Sequence, residues 1–126
     1  MSTPFALQAT LQLPPDVGLP QVSVALAVSS QFDSKADFDL QLTGAGTHSV
    51  NLGTSIAPGL KALLVKVDAS ATAAPITLLV NGAVTGGFEI SPGGGIALAS
   101  PNPVVGITAL DIVHTTAVTV RIWALG

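Results

Sequence analysis

From Phe5 to Trp123 the apolar residues of this chain recur at every second position, and that period confines it to pleated strands. Successive side chains of a strand point to opposite faces. Phe5, Leu7, Ala9, Leu11 and Leu13 therefore line one face, with Ala6, Gln8, Thr10 and Gln12 on the other. Val22, Val24, Leu26 and Val28 repeat the pattern against Ser23, Ala25 and Ala27, and Phe38, Leu40 and Leu42 repeat it against Asp39, Gln41 and Thr43. Leu63, Val65 and Val67 mark a strand within residues 61–68, and Ile76, Leu78 and Val80 mark another. In the closing segment Val118, Val120 and Ile122 share the core parity, while Thr119, Arg121 and Trp123 share the opposite one.

Proline and glycine divide these runs. Pro14-Pro15 removes two backbone donors and ends the first strand, and Gly44 and Gly46 break the strand that starts at Phe38. The polar residues 29–36 read as a separator, Val50 and Leu52 as a short strand before Gly53, and Ala57-Pro58-Gly59 as a turn. The alanine-rich residues 69–74 fall well short of the dozen or so that an isolated helix needs, so they read as a loop. Asn81-Gly82 tolerates positive φ at both positions and predicts a two-residue hairpin turn, and Gly86-Gly87 predicts a bulge or a close backbone approach. Pro92-Gly93-Gly94-Gly95 is a turn, Ile96 and Leu98 a short strand, and Pro101-Asn102-Pro103 a break. Residues 107–113 and 117–123 read as a second hairpin joined at His114-Thr115-Thr116. The expectation is one all-β domain over residues 1–126, a β-sandwich or jelly roll of about nine short, mostly antiparallel strands, with a small closed barrel as the second architecture.

Charge narrows the function classes. The 126 residues hold four Lys plus Arg and seven Asp plus Glu, a net charge of −3, and only 9% are charged. An ordinary soluble domain carries roughly 25%. Four dispersed basic residues do not make the positive surface that a phosphate backbone requires, so we expect no nucleic-acid partner. With 48% hydrophobic residues the chain does not fit the composition of a disordered segment. There is no Cys, hence no disulfide or thiolate metal site. Met1-Ser2-Thr3-Pro4-Phe5 has no basic n-region and the residues after it alternate, so no signal peptide is expected. Polar residues interrupt every apolar stretch before 18 positions, and no membrane span is expected.

No constellation announces a chemistry. Asp33, Asp37 and Asp39 form an acidic cluster, but no EF-hand spacing or bidentate Glu accompanies them, and Asp37 and Asp39 share the solvent parity of their strand. His48 and His114 stand far apart without a His, Cys or Glu at ligand spacing and read as exposed or loop histidines. No Gly-x-Ser-x-Gly elbow is present to hold a nucleophile, and Gly93-Gly94-Gly95 lacks the Lys and Ser/Thr of a phosphate loop. We therefore expect no catalytic residue, no metal and no cofactor. Lys61 and Lys66 have opposite parity and do not form a basic face. Trp123, the only Trp, falls on the polar parity with Arg121, and these two residues are the interface candidates, since Trp and Arg dominate interface energies.

A folded monomer of this mass exposes about 6,200 Å², roughly one charge per 560 Å². Such a neutral surface is hard to keep soluble, and permanent association relieves the difficulty, so a homo-oligomer or lattice component is expected. The hairpin Leu79-Val80-Asn81-Gly82, the turn Ser91-Pro92-Gly93-Gly94, the closing pair Gly106-Ile107-Thr108-Ala109-Leu110 and Val118-Thr119-Val120-Arg121-Ile122, and Leu125-Gly126 resemble small structural proteins of tailed-bacteriophage virions. The likeness covers the second half of the chain. It implies a non-enzymatic accessory subunit, assembled into the virion in the host cytoplasm, that decorates or cements the capsid or attaches to the tail and contacts the major capsid or tail protein in many copies. A lectin-type ligand- or receptor-binding module is the alternative. A flat neutral surface would favour the first reading and a concave polar pocket beside Trp123 the second.

Overall fold

Each alternating run becomes a strand, and every pairing between strands is antiparallel. A computed structural model describes residues 3–13, 22–32, 34–52, 59–82, 86–105, 107 and 109–126; among these it contains ten strands and no helix. The first two, β1 (Thr3–Leu13) and β2 (Val22–Phe32), form a separate two-stranded ribbon paired at every position from Thr3↔Phe32 to Leu13↔Val22.

The other eight build the body. They are β3 (Lys35–Leu42), β4 (Gly46–Val50), β5 (Gly59–Val67), β6 (Ile76–Val80), β7 (Phe88–Ile90), β8 (Gly95–Val105), β9 (Leu110–His114) and β10 (Val118–Leu125). Their pairing is nested: β3 with β10, β4 with β9, β5 with β8 and β6 with β7. This long double hairpin is wrapped so that β10 also pairs with β5 and β9 with β6. The result is two four-stranded sheets, ordered β3-β10-β5-β8 and β4-β9-β6-β7, which is the connectivity of a jelly roll. The sheets stay separate and keep their edges, so the closed barrel does not form.

Apolar side chains of one parity meet between the sheets. Val65, Val67, Val120, Ile122 and Ala124 come from one sheet, and Ile76, Leu78, Leu110 and Ile112 from the other, all essentially inaccessible to solvent. Burying each large aliphatic side chain contributes about 1.5–3 kcal/mol relative to leaving it exposed. Along β10 buried positions alternate strictly with exposed or half-buried ones, as the sequence period requires.

Three expectations change. The polar residues 29–36 are largely strand, because β2 runs on to Phe32 against β1 and β3 begins at Lys35 with its polar side chains outward, which raises the strand count from about nine to ten. Pro101-Asn102-Pro103 does not end β8. This strand lies at the sheet edge, where a missing N–H is tolerated, and the register jumps from Ala62↔Ala99 to Leu60↔Val104, so that residues 100–103 stand opposite Lys61 alone. Nor do β9 and β10 form a hairpin: they belong to opposite sheets, and the connection between them crosses the sandwich. Alternation fixes which side of each strand is apolar, and two facing sheets satisfy it as well as two neighbouring strands do.

The turn chemistry follows the sequence more closely. Asn81 and Gly82 have φ of 56° and 74°. The described ladder between β6 and β7 runs from Ile76↔Ile90 to Leu78↔Phe88, and the residues that would close the two-residue hairpin, 83–85, lie outside the described residues. Asn81 also extends the β6–β9 pairing, donating its backbone N–H to Ala109 O at 2.9 Å and accepting from Ala109 N–H at 3.2 Å on Oδ1. Gly87 is a close approach, since a Cβ there would strike the carbonyl oxygen of Leu78 and come within 2.7 Å of Leu79 Cδ2. Ser91-Pro92-Gly93-Gly94 closes with Gly94 N–H donating to Ser91 O at 2.9 Å, and Gly93 takes the φ of 87° expected at the third position of a type II turn.

Candidate interaction surface

β10 runs between β3 and β5, so its outward side chains stand in the middle of an exposed sheet face. Arg121 and Trp123 are neighbours there. Arg121 lies opposite Asp39 on β3 and Lys66 on β5, and its guanidinium meets the Asp68 carboxylate at two points, each 3.4 Å apart. Both partners are substantially solvated, so the pair contributes at most about 1 kcal/mol. Trp123 lies opposite Asp37 and Leu64 and is half-buried.

The ribbon lies beside Trp123. Phe5, Ala6, Leu7 and Gln8 of β1 share a groove with Leu64 of β5, Ala97 of β8, and Trp123 and Leu125 of β10, leaving a mostly apolar hollow of about 330 Å³. The ribbon therefore crosses the outer face of this sheet and is not one of the sandwich layers. A hydrogen bond holds its base: Lys61 Nζ donates to Gln31 O at 2.6 Å. Phe5 and Phe32 close the base from within, with ring centroids 6.2 Å apart.

The ribbon has two unlike faces. Strand register places Phe5, Leu7, Ala9 and Leu11 on one face with Val28 and Leu26, and Ala6, Gln8, Thr10 and Gln12 on the other with Ser29 and Ala27. Near the base the apolar face is half-buried; farther out Leu11 and Leu26 remain 61% and 47% exposed. Neither strand contains a charged residue. A two-stranded hairpin is marginal in water by itself, and this one exposes the face on which its packing depends.

The remaining candidates separate. Asp37 and Asp39 point to solvent from β3 as their parity requires, Asp33 lies outside the described residues, and among the described residues no group of three or more His, Asp or Glu is placed to hold a metal. Lys66 is exposed on the outer face. His48 is half-buried on β4. His114 corrects the expectation of an exposed histidine: it is only 7% exposed, and its Nδ1 sits 2.7 Å from Gly44 O and 3.3 Å from Thr116 O. Two carbonyl acceptors require the hydrogen to be on Nδ1, so the ring ties the β3–β4 turn to the β9–β10 connection.

A second hollow, about 510 Å³, opens at the Asp68 end of the body between Gln41, Thr43, Ser70, Thr72 and Thr119. It has hydroxyl and carboxylate groups but no aromatic side chain, and it is distinct from the apolar groove beside Trp123. Sequence reasoning put β1 and β2 in the sandwich and so missed the ribbon. The available signal was two equally long alternating runs without a charge in either.

Compared with known proteins, the chain matches no family model, no curated protein and no solved structure.

Proposed function

We propose that this protein is a non-enzymatic structural subunit of a tailed-bacteriophage virion, present in many copies and bound to the major capsid or tail protein. The observation that carries the reading is the uncharged ribbon whose outer apolar face is open to solvent. A free monomer exposing such a ribbon is prone to self-pairing and precipitation, whereas a subunit that works in permanent contact with neighbours uses it. The sparse charge of the chain supports the same reading, and a jelly roll is an architecture that capsid proteins share with lectins. Immuno-electron microscopy of particles encoded beside this gene tests it. Regular labelling of head or tail is the expected result, and protein that stays free when those particles are sedimented overturns it.

The polar hollow near Asp68 favours a second reading, a lectin-type binding module, because hydroxyl and carboxylate groups there suit a polyol. The groove beside Trp123 does not add to it, since its lining is mostly apolar, with Gln8 its one polar side chain. Saturable binding to a glycan array, abolished by Asp68→Ala, would favour this module over the virion subunit.

A further inference from the structure

We propose that the hollow between the ribbon and the sheet is a binding site for a small, flat aromatic acid: a two-ring aromatic group lies on the outer sheet face beside Trp123, and its anionic group meets Lys66 at the mouth. The site stands apart from the virion reading above, which its failure would leave untouched.

Size and shape select the rings. The hollow holds about 330 Å³. Small-molecule pockets begin at about 300 Å³, and an apolar cavity of about 150 Å³ takes one benzene ring, so there is room for two. Its floor is made by outward-facing side chains of three adjacent strands, with Leu64 of β5 opposite both Ala97 of β8 and Trp123 of β10, and Ala62 opposite Leu125. Strands about 4.8 Å apart, with residues about 3.3 Å apart along each, give that floor about 10 Å by 7 Å. Spread over this area the hollow is about 5 Å deep, enough for one aromatic layer about 3.5–4.0 Å thick and not for two. A single alkyl chain covers only part of so broad a floor.

Charge selects the acid. No residue that lines the hollow is ionisable. Ala62 is 6% exposed and Leu64 38%, so the hollow is closed at the base of the ribbon and opens toward the next outward residue of β5, Lys66, about 7 Å farther along. Lys66 lies opposite Arg121 on one side and Gly95 on the other. Asp68 holds the Arg121 guanidinium, Gly95 has no side chain, and Asp37 and Asp39 stand on β3, two strands and about 10 Å from β5. Among the described residues the Lys66 ammonium therefore enters no ion pair or hydrogen bond. A cation at the mouth would be repelled, an uncharged molecule would leave the ammonium unused, and one anionic group at the edge of the rings complements it.

The test is titration of the full chain with naphthoate, two fused rings bearing one carboxylate, read by calorimetry and by quenching of Trp123, the single tryptophan. Saturable binding of one molecule per chain is expected. Naphthamide, the uncharged analogue, should bind up to about five-fold more weakly at low salt and equally well at high salt, because the Lys66 contact is solvated. Decanoate, an anion with a flexible chain, should bind several-fold more weakly than naphthoate, since its chain must be ordered to lie in one layer. Ala97→Phe puts a ring into the hollow and should weaken both naphthalene ligands at least ten-fold. Lys66→Ala, at an exposed position, should leave the melting temperature unchanged and remove only the advantage of acid over amide. Absence of saturable naphthoate binding to the unaltered protein overturns the site. Decanoate binding as tightly as naphthoate overturns the flat shape, an acid advantage that survives Lys66→Ala overturns the role of Lys66, and binding undiminished by Ala97→Phe overturns the hollow as the seat.

Discussion

Lys61 Nζ donates a 2.6 Å hydrogen bond to the backbone carbonyl of Gln31, joining the bulged position of β5 to the end of β2. Lys61→Met keeps the aliphatic stem and removes the donor. An exposed hydrogen bond of this kind contributes about 1 kcal/mol, so the base of the ribbon should open about five-fold more often. Amide hydrogen exchange checks this: protection should fall in β1 and β2 and stay unchanged in β6 and β9.

Gly82 and Gly87 should respond differently to substitution. Gly82 sits at φ 74° with open space around it, so Gly82→Val should cost about 1–2 kcal/mol through backbone strain. Gly87 has ordinary φ but no room, and even Gly87→Ala forces a methyl group against Leu78 O, for about 1–3 kcal/mol. Urea titrations of both variants, with Gly82→Asn as a residue that accepts positive φ, separate the mechanisms. Gly82→Asn should recover most of the stability lost with Val.

Adjacent positions on β10 offer a sharper contrast. Ile122 is fully buried between the sheets, and Ile122→Ala should cost about 2–5 kcal/mol. Arg121 faces outward to a solvated carboxylate, and Arg121→Ala should cost less than about 1 kcal/mol. Thermal unfolding of the two variants reads the strand parity directly; equal losses would contradict the register of β10.

His114 joins the carbonyls of Gly44 and Thr116 through one ring nitrogen. Removing the ring with His114→Ala leaves Gly44 O without its 2.7 Å donor and should destabilise by about 1–3 kcal/mol. His114→Asn places an amide donor near the position of Nδ1 and should restore part of that loss. Chemical denaturation of both variants checks the donor role against simple cavity formation, for which Asn and Ala would behave alike.

The alternation at Val118, Val120 and Ile122 was sufficient to assign the buried face of β10, and Pro92-Gly93 was sufficient to assign its turn. What alternation does not encode is the layer in which a strand lies. Phe5, Leu7 and Leu11 have the same period as Leu63, Val65 and Val67, yet the first group lies outside the sandwich and the second inside it. The missing information is tertiary: an apolar stripe reads the same whether it faces a core, a groove or open solvent. Arg121 and Trp123 were legible as outward-facing for the same local reason, whereas the groove that receives Trp123 required Phe5 and Leu7 from the far end of the chain.

The position of β10 between β3 and β5 also sets a timetable. β3 has no partner within its sheet until β10, the last of the ten strands to be synthesised, is available. The ribbon, by contrast, pairs residues close in sequence and can zip while the body is still waiting, because short loops close before long ones. During synthesis an apolar hairpin is therefore presented before the groove that shelters its base exists.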